Sequence, residues 1–89
     1  MAYRLRRSKV VKRQIDRLPG NVRQRVRQVI RDLAKNPRPD YAEELRETLE
    51  GCYKIKIDNW RIIYEPDDDL EIIMVLRVMR RGSKTYEGL

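Results

Sequence analysis

Apolar residues recur along this chain with more than one period, and the changes of period mark its elements. Residues 2–7, AYRLRR, alternate weakly, as an edge strand does. Ser8 is a candidate N-cap, and Val11, Ile15 and Leu18 then follow at spacings of four and three, which predicts a helix with one apolar stripe. Pro19-Gly20 ends it. Asn21 is the candidate cap of a second helix, in which Val22, Val26, Val29 and Leu33 repeat and Ile30 widens the stripe. The prolines of NPRP at 36–39 stop that helix.

The acidic stretch 40–51, DYAEELRETLEG, predicts a loop with room for one helical turn. Three strands are expected after it, at 52–57, 60–65 and about 70–79. The first two form a hairpin: Asp58-Asn59 tolerates the positive φ of a two-residue turn, which pairs Ile57 with Trp60 and Lys56 with Arg61. EPDDD at 65–69 reads as a second turn. LEIIMVLRVM is apolar through its middle, as a central strand covered on both faces is. The tail RRGSKTYEGL is left unassigned. The order β-α-α-β-β-β predicts an α+β fold in a single domain over residues 1–89: a helical hairpin packed on one face of a small, mostly antiparallel four-stranded sheet.

A side-chain period of two sorts the strands by face. Tyr53, Ile55, Ile57, Trp60, Ile62 and Tyr64 share an apolar face suited to lie under the helices. Lys54, Lys56 and Arg61 share the other. A four-residue turn at 66–69 would pair Ile63 with Ile72 and Arg61 with Met74, and Arg80 would then join the cations. One bulge would reverse that assignment.

Charge sharpens this picture. The 89 residues carry a net charge of +7, unevenly spread. Residues 1–39 hold 13 Lys or Arg against two acids, residues 40–71 hold 4 against 11, and residues 72–89 hold 4 against 1. Such a balance favours an anionic partner. The single cysteine, Cys52, excludes an internal disulfide, and without histidine there is no Cys/His metal pattern, so neither metal nor cofactor is expected. No apolar run approaches a membrane span, so no membrane partner is expected and the cytosol is the expected compartment. Trp60 and Cys52 read as packing residues.

Like charges directly opposite on a sheet are destabilising. Lys54 alone reads as a solvated strand residue, but the cluster is better explained by an anion that neutralises it, and a phosphate fits Lys and Arg well. Arg23, Arg27, Arg31 and Lys35 form the polar side of an amphipathic helix, which explains them adequately. Their density with few acids beside them also suits a polyanion, and with Arg81 and Lys84 they are the candidate residues to contact it, RNA in the nuclease reading that the resemblance below implies.

The element order, the hairpin YKIKIDNWRIIYE and the ending VLRVMRRGSKTY resemble the RelE/ParE toxin superfamily of type II toxin–antitoxin systems, most closely over residues 49–86. The resemblance implies either a RelE-like, metal-independent endoribonuclease that cuts mRNA, in many members on the ribosome, or a ParE-like toxin that poisons DNA gyrase without nuclease residues. RelE's pattern is matched at Lys54 and Lys56 in YKIK, Arg61 in WRIIY, Arg80 in RVMRRG and Tyr86 in KTYEGL. The sequence departs from relatives at Met79, where many have histidine, at Gly82, where RelE has a second arginine, and at Arg81, which replaces an acid.

The nuclease reading implies attack by the 2′-hydroxyl on the adjacent phosphorus, with cations stabilising the charge gained in the transition state. Lys56, Lys54 and Tyr86 are the candidate bases. Arg61 is assigned to phosphate binding and Arg80 to transition-state charge, and the leaving 5′-oxygen takes its proton from a lysine or from Arg80. Tyr86 has stacking on a base as its other role. The implied partners are mRNA, the ribosome and a cognate antitoxin with an acidic or amphipathic C-terminal segment. A basic nucleic-acid-binding module without catalysis is the third reading.

Overall fold

The computed structural model describes residues 2–46 and 50–82. Strand β1 (Arg4–Arg7) leads into helices α1 (Lys9–Asp16) and α2 (Gly20–Lys35). Four strands follow: β2 (Glu43–Glu44), β3 (Tyr53–Ile57), β4 (Trp60–Asp67) and β5 (Ile72–Arg80). They form one sheet in the order β1-β5-β4-β3-β2, with β1 parallel to β5 and the other pairs antiparallel. The expected α+β class stands, with five strands instead of four.

Both helices start where local chemistry permits. The Ser8 hydroxyl accepts from the Val11 N–H at 3.2 Å and caps α1. Asn21 does not cap α2. Pro19 occupies the cap position and its carbonyl accepts from the Arg23 N–H at 2.8 Å, so Asn21 already lies in the first turn. The helix ends at Lys35 because Asn36 precedes a proline and is driven to extended geometry (φ −141°, ψ 94°).

The apolar stripes meet one face of the sheet. Val11, Ile15 and Leu18, then Val22, Val26, Ile30 and Leu33, pack against Ile55, Ile57, Ile62, Tyr64, Ile73, Val75 and Val78. Truncating a residue such as Leu33 to alanine costs about 2–5 kcal/mol. An exposed ion pair contributes only about 0–1 kcal/mol. Apolar burial, not the abundant surface charge, therefore holds the helices to the sheet.

The hairpin forms in the expected register: Ile57 pairs with Trp60 and Lys56 with Arg61, and Asp58 takes the positive φ of 51°. Three further expectations need correction. Glu43 and Glu44, read as loop, pair with Lys54 and Tyr53 as the edge strand β2, because opposite charges face each other across that pair. The turn expected at 66–69 lies at 68–71, and β4 runs on to Asp67. Residues 65–67 pair only with β5, an arrangement that accommodates Pro66 without its N–H. Finally, a bulge shifts the β4–β5 register between Ile63 and Tyr64. Ile63 opposes Arg77, Tyr64 opposes Val75, and Leu76 is the extra residue.

That bulge exchanges the faces of the end of β5. Arg61 pairs with Met79 instead of Met74, and Arg80 pairs with Trp60. Arg80 therefore stands on the helix side of the sheet, opposite to the expected face. Beyond the last β1 pair, Arg7 with Val75, the Val78 N–H donates to the Gln14 Oε1 of α1 at 3.0 Å. The helix thus takes over from β1 in satisfying β5.

A polar clamp closes the other end. Arg38 donates to both oxygens of Asp68 at 2.9 and 3.0 Å and to the Tyr53 hydroxyl at 3.1 Å. The Tyr3 hydroxyl donates to Asp68 at 2.7 Å, and the buried Tyr64 hydroxyl donates to the Pro37 carbonyl at 2.7 Å. No helix among the described residues is long and apolar enough to cross a membrane.

Hydrogen bonds from Arg38 and then Tyr3 hold the Asp68 carboxyl below the usual aspartate range. A folded-state value below the unfolded one gives stability that is present above about pH 4 and lost as pH falls through the folded value. Between about pH 6 and pH 3 the melting temperature of wild type should therefore fall more steeply than that of Asp68→Asn. Parallel acid limbs in thermal melts would contradict the clamp.

Candidate functional site

The face of the sheet turned away from the helices gathers the cations in two rows. One row runs Lys56, Arg61, Met79 across β3, β4 and β5, and the next runs Lys54, Ile63, Arg77. Rows on one face lie about 7 Å apart and neighbouring strands about 5 Å. Four cationic side chains therefore share an area that a few nucleotides would cover. Between them Cys52, Ile63 and Met79 are buried, with Leu45 and Leu76 packed against them. This apolar floor limits solvent access from below and focuses the field of the charges above it.

The tip of the hairpin is held from several sides. Arg61 Nη1 donates to the Asp58 carbonyl at 3.0 Å and the Trp60 carbonyl at 2.8 Å. Arg25 of α2 forms an ion pair with the Asp58 carboxylate, and the Arg81 N–H donates to the Asn59 carbonyl at 2.6 Å. Arg61 is thus oriented by backbone before any ligand arrives, which is the condition for efficient stabilisation of developing charge.

The chain also supplies an anion of its own. Glu43, directly across from Lys54, places Oε2 3.3 Å from Lys54 Nζ and Oε1 3.3 Å from Lys56 Nζ. Hydrogen bonds from Lys54 and then Lys56 hold its carboxyl below the usual glutamate range. Lys54 is 21% exposed in its side chain and Lys56 54%. Lys54 thus lies against the floor while Lys56 projects into solvent.

Of the five residues expected at the site, Lys54, Lys56 and Arg61 share this face. Arg80 lies on the other, its guanidinium carbon 5.6 Å from the centre of the Trp60 ring. Tyr86 lies outside the described residues, as does Lys84. The helix cations stand on the far side of the sheet. Arg27 pairs with Asp16, Arg23 donates to the Asp16 carbonyl, and Arg31 bonds to Gln28. The first two therefore brace the link between α1 and α2.

Sequence reasoning missed Arg77 and Glu43. Arg77 was hidden by the bulge, although it is the one charge inside an otherwise apolar run. Glu43 was hidden because an isolated two-residue strand has no period. Its signal was an acidic segment preceding a Lys-x-Lys strand. Cys52, whose thiol is pushed up by burial, is a packing residue as expected. Among the described residues no group of acids, Cys and His could hold a metal ion. The face thus carries Lys54, Lys56, Arg61 and Arg77, with Glu43 between the two lysines.

The family model described as ParE toxin of type II toxin–antitoxin system, parDE, matches residues 5–84. A chain of the toxin–antitoxin complex RelBE2 from Mycobacterium tuberculosis is similar at 26% identity and a TM-score of 0.77, covering 91% of this chain and 100% of that one. The isolated E. coli RelE toxin shares the fold at 22% identity and a TM-score of 0.78, with 98% and 94% covered. A chain of the archaeal RelE–RelB complex from Pyrococcus horikoshii shares it at 24% identity and a TM-score of 0.77, with 92% and 98% covered. No curated protein matches.

The chain's one tryptophan reports directly on the faces. Arg80→Ala should move Trp60 emission to longer wavelength, because the guanidinium no longer shields the ring, and Met79→Ala on the opposite face should leave it nearly unchanged. The reverse order would contradict the bulged register.

Proposed function

The chain belongs to the ParE toxin family of type II toxin–antitoxin systems, and on that premise we propose that it is an endoribonuclease cutting mRNA without a metal ion, on the ribosome in the cytosol. The carrying observation is the convergence of Lys54, Lys56, Arg61 and Arg77 on one sheet face over an apolar floor. In this reading the scissile phosphate lies against Lys54 and Lys56. Arg61, held by two carbonyls, binds its non-bridging oxygens. Arg77 takes the place on the face that parity had given to Arg80, which retains a role only from the end of β5. The base is Lys56, Lys54 or Tyr86. The 2′-hydroxyl is the nucleophile, so RNA is the substrate and DNA is not.

A second reading follows from the match to the ParE model and from the position of Arg80 across the sheet. In it the toxin acts on DNA gyrase without catalysis. Supercoiling assays with purified gyrase separate the two.

The nuclease reading expects 2′,3′-cyclic phosphate and 5′-hydroxyl ends on RNA, with free-RNA cleavage surviving EDTA. Arg61→Ala should lower the rate by roughly 10²–10³-fold, the effect of removing one preorganised charge, and Arg27→Ala far less. A 5′-phosphate product, or unchanged cleavage by Arg61→Ala, would refute it.

The partner in this reading is a cognate antitoxin, as in the RelBE2 and RelE–RelB complexes. Its place is the groove of about 290 Å³ between β1 and α2, lined by Leu5, Arg6, Arg7, Ile30 and Val75, with Arg27 and Arg31 beside it. Exposed Leu5 invites an apolar anchor and the arginines an acidic one. Antitoxin in excess of about 100 times its Kd should stabilise the toxin by about 2.7 kcal/mol. Leu5→Glu should reduce that gain in thermal melts. A pair that melts no higher than free toxin would refute the partnership.

A further inference from the structure

Glu43 raises a question that the cation cluster alone does not. Its two carboxylate oxygens are divided between two ammonium groups, Oε1 to Lys56 and Oε2 to Lys54, at 3.3 Å each. A phosphodiester also offers two anionic oxygens on one centre, and the same pair of lysines would hold them in the same way. Resting on the phosphate-site reading above, we propose that Glu43 is a built-in substitute for the substrate phosphate: it occupies the Lys54–Lys56 position in the free chain and is displaced when RNA binds.

The surroundings suit an exchange of anions. Strand β2 is two residues long, lies at the sheet edge and pairs only with β3. The Glu43 side chain is 53% exposed, and ion pairs at such exposure are weak and easily traded. The tethered carboxylate still competes at an effective concentration in the millimolar range. A single free phosphate at lower concentration therefore loses the competition. A polynucleotide wins it, because neighbouring phosphates reach Arg61 and Arg77 at the same time. The face thereby rejects inorganic phosphate and mononucleotides and accepts strands. Glu44, the next residue, carries the same charge but bonds to Arg46 and pairs with Tyr53. It is the internal control.

The test measures binding apart from cleavage. A short fluorescent oligodeoxynucleotide lacks the 2′-hydroxyl and reports phosphate affinity by anisotropy at low salt. Glu43→Gln and Glu43→Ala should each bind it roughly three- to tenfold tighter than wild type, the effect of removing one unit charge at about 6 Å in largely aqueous surroundings. Glu44→Gln should change affinity by less than about twofold, since its charge lies farther from the lysines. The Glu43→Gln gain should vanish in the Lys54→Ala/Lys56→Ala background. It should also be larger for inorganic phosphate competing with the probe than for a longer strand. If the lysine variants bind as wild type does, the phosphate reading of this face fails and this proposal with it. If the lysines matter but Glu43→Gln binds no tighter than Glu44→Gln, or keeps its advantage without the lysines, this proposal alone is overturned. Circular dichroism of each variant confirms that the exposed substitutions leave the fold in place.

Discussion

The two-residue turn at Asp58 and Asn59 fixes the register of β3 against β4, and a side-chain period of two then assigns every hairpin residue to a face. On one side Ile55, Ile57, Ile62 and Tyr64 enter the core beneath both helices. On the other, Lys54, Lys56 and Arg61 have nowhere to go but outward. A slip of one residue would bury the cations and expose the core, so burial of the apolar face enforces the crowding of charge on its reverse. The core residues and the cations are the two products of one register.

Crowded cations need an explanation in energy, and part of it is internal. Glu43 divides its carboxylate between the two lysines, and Arg61 directs one nitrogen at two carbonyls of its own turn. The free chain thus reduces the repulsion that like charges opposite one another would produce. It does so with weak, exposed contacts. The same economy appears on the helix side, where the Asp16 side chain and carbonyl engage Arg27 and Arg23. The large excess of Arg and Lys in residues 1–39 remains mostly solvated.

Elements with a strong period were legible in the residues. The stripes of both helices, the Ser8 cap, the hairpin register and the pairing of Lys56 with Arg61 all follow from spacing and turn chemistry. Features that depend on non-local pairing were not. The edge strand at Glu43–Glu44 exists only because β3 offers it a partner, and two residues carry no periodicity of their own. The bulge at Ile63–Tyr64 adds one residue to β5 and turns over the parity of all that follows. Arg80 consequently lies over Trp60, and Arg77 stands with the other cations. Three of the four cations on the outer face were visible in the hairpin because its register is local. The fourth, Arg77, was set by a shift that no local pattern announces.

The central claim is that this outer face, and not the arginine-rich helical side, receives the phosphate backbone. A crystal structure of the chain with a 2′-O-methyl RNA oligonucleotide tests it most directly. The account predicts one phosphate bridging the Lys54 and Lys56 ammonium groups, within reach of Arg61 and Arg77, with the Glu43 carboxylate turned away from both lysines. RNA lying along α1 and α2, with the Glu43 contacts to Lys54 and Lys56 intact, would contradict it.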